Sequence, residues 1–158
     1  MAEEILTEER IQIGFGLNPD DQQTYSTESV WAERVGPDEF RILNSPFFVF
    51  GISAEDIVKA KRDNGDYKFD QVTRKGGHST YRVFLQGGRT LDDEDFRSRW
   101  TPIQALGAKF ENANDRLLSV DVAPGVDIVK VYDLLKQGEA DGVWAFEEGN
   151  YEGVEGVT

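Results

Sequence analysis

The single histidine of the chain, His78, is the first residue whose type could do chemistry. It is followed by Ser79 and Thr80, so its imidazole could act as a general base toward a neighbouring hydroxyl. A nucleophilic mechanism also needs a group that orients the histidine and an oxyanion site, and the sequence identifies neither. Two other roles stay open, a backbone hydrogen bond where two parts of the chain meet and contact with a ligand. We therefore predict no catalytic residue, with an enzyme that uses His78 kept as an alternative.

Glycines and acids occur together in a second segment that could bind an ion. Gly87 and Gly88 stand between a predicted strand and a predicted helix, a position that suits a phosphate. The four acids at residues 92–95 would repel that anion, and they stabilise the start of the helix instead. Consecutive helical side chains are about 100° apart, so at most two of these carboxylates could share a cation. With one histidine and no cysteine, zinc is disfavoured as well, and we predict no metal and no cofactor.

The composition excludes several classes of function. The chain has 158 residues, with 17 Lys and Arg against 30 Asp and Glu, so its net charge is −13. This balance argues against a nucleic-acid partner, because phosphate contacts need clustered cations. The absence of cysteine excludes disulfides and thiol nucleophiles. We expect no membrane association and a cytoplasmic location, because no apolar run approaches the length of a membrane span and the first residues are acidic.

Aromatic residues give the remaining signal. Most of them must lie in the core, but alternation places Arg82 and Phe84 on the face of their strand opposite Val83 and Leu85. If helices cover one face of the sheet, an aromatic residue must meet the other half of the chain or a partner. Acidic side chains around it would attract a basic protein and speed its association. The aromatic residues in predicted strands are Trp31, Phe47, Phe48, Phe50, Phe84, Trp144 and Phe146.

The first half of the chain is predicted to consist of short strands. Strands are expected at residues 10–17, 28–35, 39–43 and 47–50, and a capping box that begins at Ser53 predicts one helical turn. Asn64-Gly65 suits a two-residue type I′ turn between strands 57–62 and 67–74. Close strand spacing with little helix predicts a small β-barrel-like subdomain over residues 10–76.

The second half has a different pattern. It predicts strands at residues 80–86, 108–111, 116–122 and 142–147, with helices after Thr90 and at residues 126–137. Pro102 should interrupt the first helix and Gly138 should end the second. This β-α-β-β-α-β order predicts an α+β chain whose residues 77–149 form a ferredoxin-like subdomain packed on the barrel. We expect the two halves to unfold together, and residues 1–9 and 150–158 to be flexible acidic ends.

Five short motifs occur in an order that is similar to a known family. Over roughly residues 28–149 the chain resembles a bacterial family called domain of unknown function 4265. The resemblance implies a small soluble bacterial protein and no established activity. Small acidic proteins of this sort often prove to be immunity proteins against toxins, which is an analogy. The motifs are Val30-Trp31-Ala32-Glu33, Leu43-Asn44-Ser45-Pro46-Phe47-Phe48, Gly51-Ile52-Ser53 with Asp56-Ile57-Val58, Gly77-His78-Ser79-Thr80-Tyr81-Arg82 and Gly142-Val143-Trp144-Ala145-Phe146-Glu147-Glu148-Gly149.

Two functional hypotheses follow. The first is a non-enzymatic acidic binding protein, most specifically an immunity-type inhibitor that neutralises a basic bacterial toxin. The alternative is a small-molecule-sensing or regulatory domain with its ligand between the two halves. The sequence leaves open whether the chain is a monomer or a dimer. The residues predicted to bind a partner or ligand are Trp31, Ser45, His78, Thr80, Arg82, Trp144, Glu147 and Glu148.

Overall fold

A computed structural model describes residues 10–17 and 27–153. The predicted flexible segment 1–9 and residues 154–158 of the predicted flexible segment 150–158 lie outside them. The described residues form nine strands and two helices, which confirms the α+β class. In chain order the elements are β1 (Arg10–Gly16), β2 (Thr27–Arg34), β3 (Glu39–Ile42), β4 (Ile57–Asp63), β5 (Asp66–Arg74), β6 (Ser79–Leu85), α1 (Glu94–Ala105), β7 (Lys109–Asn112), β8 (Leu117–Val122), α2 (Ile128–Ala140) and β9 (Trp144–Asn150).

Strands β1 to β5 follow one another around a closed barrel. Neighbouring strands are antiparallel, except that β1 and β5 close the ring in parallel through Ile13–Tyr67 and Gly14–Lys68. The alternation predicted for β1 is present, because Ile13 and Phe15 point inward and are fully buried. Their neighbours in the core are mostly β-branched and aromatic side chains from the other strands and from the connection between β3 and β4, namely Val30, Ala32, Phe40, Ile42, Ile52, Val58 and Ala60.

The hairpin predicted at Asn64-Gly65 is confirmed. Strand β4 ends at Asp63 and β5 begins at Asp66, so the turn has two residues. Asn64 has a φ of 56° and Gly65 a φ of 88°, and a type I′ turn requires positive φ at both positions.

The remaining four strands form a second, antiparallel sheet in the order β7-β8-β6-β9. Both helices pack on one face of this sheet, because alternate residues of β6 share a core with the buried side of each helix. This core joins Tyr81, Val83, Leu85, Leu118, Val120, Val122 and Trp144 of the sheet to Phe96, Trp100, Ile103, Val131 and Leu135 of the helices.

Both helix predictions were wrong at an interior residue. Helix α1 continues through Pro102, which lies in its last turn on the exposed side and removes a single backbone donor. Helix α2 continues through Gly138 because the indole of Trp144 packs directly on that glycine. A Cβ built at Gly138 would lie 2.5 Å from Cε2 of Trp144. The glycine is therefore there for close packing, not for ending the helix.

The helical turn predicted at Ser53 is also absent. The carboxylate of Asp56 accepts a hydrogen bond from the Ser53 amide at 2.9 Å, as one half of a capping box would. However, Glu55 has a φ of 76°, so the chain reverses at this point without entering a helix. Asp56 is fully buried, and it also accepts from the Gly76 amide and from Lys75 Nζ.

Hydroxyl groups form the junction between the barrel and the second sheet. Ser53 Oγ lies 2.5 Å from Thr80 Oγ1, and it also accepts from the side chain of Asn150 at 2.9 Å. The amide of Glu152 donates to Ser79 Oγ at 2.8 Å. The part of the predicted flexible end that the structure describes is therefore bound to this junction. Within the described ranges, no helix is long and apolar enough to cross a bilayer.

Candidate docking surface

Residues 46–51 form an irregular segment, which we call the aromatic loop, where the sequence predicted a short strand. Within it the Gly51 amide donates to the Gly149 carbonyl of β9 at 2.9 Å, but the amides of residues 47–49 do not pair with another strand. Those of Phe47, Phe48 and Val49 donate instead to the carboxylate of Glu28, at 2.7, 2.9 and 2.9 Å. The strand prediction was wrong because one side chain satisfies three successive backbone donors that would otherwise require a neighbouring strand.

The carbonyl groups of the aromatic loop are held by Arg82, on β6 of the second sheet. Its Nε donates to the Pro46 carbonyl at 3.3 Å, and its Nη2 donates to the Val49 carbonyl. The side chain is only 3% exposed, and a Cβ built at Gly149 would lie 2.7 Å from its Cζ, so that glycine makes room for the guanidinium. Burial lowers the pKa of Arg82, while the negative charges of Glu147 and Glu28 act in the opposite direction.

Ser45, the residue just before the aromatic loop, links the loop to the second sheet through hydrogen bonds. Its Oγ lies 2.6 Å from Ser119 Oγ, which in turn donates to the Pro46 carbonyl at 2.7 Å. Its amide donates to Glu111 at 2.9 Å. The loop therefore lacks regular secondary structure, but it is bound to both halves of the molecule.

This framework presents three phenylalanines to solvent. Phe48 is 50% exposed and Phe50 is 59% exposed, and Phe84 on the adjoining strand β6 is 45% exposed. The face of β6 opposite the helices, where alternation placed Phe84, is thus open at this end. We call Phe48, Phe50 and Phe84 the aromatic patch.

The aromatic patch borders a cavity of about 230 Å³. The exposed charged residue in the wall of this cavity is Glu147 on β9, whose side chain is 57% open to solvent. One oxygen of Glu147 lies 3.8 Å from Nη1 of Arg82, which is buried and has no hydrogen-bond partner among the described residues. The cavity is lined by Phe47, Phe48, Arg82, Phe84, Leu117, Ala145, Phe146 and Glu147.

His78 and Thr80 lie in the hydroxyl junction and do not line this cavity. The Nδ1 of His78 is 2.8 Å from a carboxylate oxygen of Asp121, which fixes the orientation of the ring. Such a pair could serve as a general base. However, no hydroxyl in the described ranges hydrogen-bonds to the second ring nitrogen. Thr80 is fully buried and is bound to Ser53.

Three other predicted site residues lie outside the cavity lining. Trp144 is 1% exposed in the core beneath the helices, where its indole donates to the Leu135 carbonyl at 2.8 Å. It cannot contact a partner without unfolding, so we exclude it from the surface. Trp31 is half-exposed on β2, and Glu148 is exposed on β9. Of the eight predicted site residues, the structure brings only Arg82 and Glu147 into the cavity wall, with Ser45 behind them.

The Gly87-Gly88 segment borders a separate cavity of about 450 Å³. Arg89, its one cation, is already bound to Asp95 and to the carbonyls of Gln86 and Gly142. The accessible charge there is negative, so a phosphate remains disfavoured. Across residues 10–17 and 27–153, no group of three or more His, Cys, Asp or Glu side chains could hold a metal ion.

Sequence reasoning missed Glu28, the residue that holds the amides of the aromatic loop. A signal was present in the alternation of β2. Glu28 is two residues before Val30, so it lies on the inward face that Val30 and Ala32 occupy in the barrel core. A carboxylate on an inward face needs several donors, and a neighbouring run of free backbone amides can supply them.

Together, the fold and the site define a class of protein, an α+β chain that presents exposed aromatic side chains on a fixed loop beside one cavity. The particular family is shown by a family model that matches residues 28–146, and the chain belongs to the family described as "Domain of unknown function (DUF4265)". The expected family membership is thus confirmed.

The structure is also similar to a crystal structure of a hypothetical protein from Neisseria gonorrhoeae. The TM-score is 0.74 at 16% sequence identity, and the similarity covers 93% of this chain and 97% of that chain. At this identity the likeness concerns the fold alone. No curated protein matches the chain.

Proposed function

We propose that this chain is a non-enzymatic binding protein of the bacterial cytoplasm that docks another protein through the aromatic patch. Its most specific form is an immunity-type inhibitor that neutralises a basic toxin. In this proposal a barrel-like half and a ferredoxin-like half together position the docking surface. The observation that carries it is the aromatic loop, whose amides are held by Glu28 and whose carbonyls are held by Arg82 while Phe48 and Phe50 remain exposed.

The energetics of this arrangement favour docking. Exposed aromatic side chains are common binding hot spots, because they bury much apolar area and lose little side-chain entropy. A loop that is already ordered avoids the entropy loss of ordering on association. Glu28 and Arg82 supply that order, although burying charged groups costs free energy unless they are well bonded.

The charge balance supports a basic partner. The net charge of −13 would raise the association rate with a cationic protein, and added salt would reduce that rate. Seven of the 30 acidic residues, and none of the Lys or Arg, lie in segments 1–9, 18–26 and 154–158. Those segments therefore contribute to long-range attraction, whereas the aromatic patch supplies short-range contact.

The test is binding to the product of the adjacent gene in the native host, measured with purified proteins at low and high salt. We expect tight binding with an association rate that falls as salt rises. Phe48→Ala and Phe84→Ala should each weaken binding by at least tenfold, mainly through faster dissociation. Val129→Ala, which truncates an exposed apolar residue on the outer side of α2, is the matched control and should bind like the wild type.

Two outcomes would contradict this proposal. The first is a partner that binds Phe48→Ala and Phe84→Ala as tightly as it binds the wild-type protein. The second is an enzymatic activity that disappears in His78→Ala while the variant keeps its fold. The first would move the interface elsewhere, and the second would make the protein an enzyme.

A second candidate, a small-molecule-sensing or regulatory domain, is supported by the cavity itself. The ligand would not contact Ser45 and Thr80, as the sequence suggested. Their hydroxyl groups are already hydrogen-bonded to those of Ser119 and Ser53, respectively. It would lie beside Arg82 and Glu147. If the protein has this function, a metabolite should raise its melting temperature, and the rise should be smaller in a Phe84→Ala variant.

A further inference from the structure

We infer that the cavity receives one long cationic side chain, arginine or lysine, from the docked protein. This inference rests on the proposed docking function and specifies which chemistry of the partner is recognised. The aliphatic stem of the side chain would lie between Phe48 and Phe84, and its charged end would pair with Glu147.

The walls of the cavity suit the stem of such a side chain. Six of its eight lining residues are apolar, namely Phe47, Phe48, Phe84, Leu117, Ala145 and Phe146. Long cationic side chains commonly bury their methylene groups against apolar surface while the charge stays near water. The cavity volume of about 230 Å³ has room for one side chain.

Phenylalanines of the aromatic patch already have cations stacked on them. The guanidinium of Arg82 lies 5.1 Å from the ring centre of Phe50, and that of Arg116 lies 5.7 Å from the ring centre of Phe84. The remaining ring, that of Phe48, has no cation–π partner among the described residues. A cation from the partner would complete this pattern over a ring that is half open to solvent.

The charges around the cavity favour a cation over an anion. The charged residues that line the cavity are Arg82 and Glu147, and of these Glu147 is 57% exposed whereas Arg82 is only 3% exposed. Two nitrogens of the guanidinium are bound to loop carbonyls, and the third, Nη1, is buried 3.8 Å from the Glu147 carboxylate. An incoming anion would thus meet the exposed carboxylate of Glu147 first and would find the cation closed off.

Glu147 also distinguishes a cationic side chain from a purely apolar one. A leucine or phenylalanine in the cavity would remove water from the Glu147 carboxylate and offer it no hydrogen bond in return. That desolvation would oppose binding. An arginine or lysine replaces the lost water with a charge-assisted hydrogen bond.

The experiment uses four capped tripeptides, Gly-Arg-Gly, Gly-Lys-Gly, Gly-Leu-Gly and Gly-Glu-Gly, added to the ¹⁵N-labelled full chain. Backbone amide shifts of Ala145, Phe146 and Glu147 report on the cavity. We expect the two cationic peptides to bind with dissociation constants of roughly millimolar order and to shift these amides, and the other two peptides to leave them unchanged.

Two variants sharpen this measurement. Glu147→Gln should weaken the cationic peptides by about two- to fivefold. Glu148→Gln removes the same charge from the next residue of β9, whose side chain lies on the opposite face, and should leave binding unchanged.

Equal or stronger binding of the leucine or glutamate peptide would overturn the inference, and so would the absence of binding by both cationic peptides. Its failure is distinguishable from failure of the docking function. If the peptides fail while Phe48→Ala still weakens the protein partner, the surface docks a partner without an arginine or lysine anchor. If Phe48→Ala also has no effect on the partner, both proposals fail.

Discussion

Aromatic side chains are buried on one face of the second sheet and exposed on the other. On the face beneath the helices, Tyr81 and Trp144 are almost completely buried, and the indole of Trp144 has a hydrogen-bond partner. On the opposite face, Phe84 of the same strand as Tyr81 is half-exposed and borders the cavity. The contrast separates residues that stabilise the fold from residues that remain available for contact.

The two faces also differ in how the neighbouring backbone is satisfied. The helices above the packed face bond their own backbone groups, as helices do. The aromatic loop above the open face relies on side chains of Glu28 and Arg82, one from each half of the molecule. Because this loop spans both halves, the docking surface depends on their association.

The largest expected effect concerns the packed face. Trp144→Ala removes a buried indole and should lower the free energy of unfolding by about 3–5 kcal/mol. Phe84→Ala on the open face should cost less, about 1–2 kcal/mol, because nearly half of its surface stays in water in the folded protein. Chemical denaturation of both variants measures the difference. Similar losses for the two would contradict the distinction between the faces.

The anchor of the aromatic loop is expected to have the next largest effect. Glu28→Gln places an amide group where three backbone donors need an acceptor, and should cost about 1–3 kcal/mol. Hydrogen exchange at Phe47, Phe48 and Val49 should become faster. Glu33→Gln, a change on the same strand that removes an ion pair with Arg41 on the barrel surface, should leave that exchange unchanged. Slow exchange in Glu28→Gln would show that the carboxylate is not what orders the loop.

A pH effect is expected from the packed face. Burial raises the pKa of Tyr81 well above its usual value, and the negative charge of Glu148 adds to this. The pKa of tyrosine in unfolded chains is about 10, and the stability that depends on the neutral phenol is complete below that pH. This stability is lost as the pH rises from there toward the pKa of Tyr81 in the folded protein. Its loss proceeds at up to about 1.4 kcal/mol per pH unit. Tyr81→Phe should remove this part of the alkaline destabilisation, and an unchanged pH profile in that variant would contradict it.

The smallest effect is expected far from both faces, at the β4–β5 hairpin. Asn64→Val forces a β-branched residue to adopt a φ of 56° and should cost about 1 kcal/mol. Binding to a partner should not change, since the turn is not part of the cavity lining. An unchanged melting temperature would mean that the turn geometry contributes little to stability.

Local chemistry made part of this structure predictable. Alternation in β6 placed Arg82 and Phe84 on the face opposite Val83 and Leu85, and Asn64-Gly65 identified its turn. The prediction failed wherever a distant residue determines the conformation. Gly138 stays helical because Trp144 packs on it. The strand predicted at residues 47–50 does not form because Glu28, about twenty positions earlier in the chain, satisfies the amides of residues 47–49.

The same reason explains the candidate site. Arg82 and Glu147 could be chosen from the sequence because they lie on predicted strands near aromatic residues. Alternation could place Glu28 on the inward face of β2, but its role could not be predicted, since it depends on the barrel closing next to a loop that belongs to neither sheet.

Hydrogen exchange on the complex with the adjacent gene's product is the most direct test of whether the aromatic patch is a docking surface. We predict slower exchange in the complex at residues 46–51 and 145–147, with no change along helix α2. Protection confined to α2, or to the barrel strands away from the aromatic loop, would contradict it.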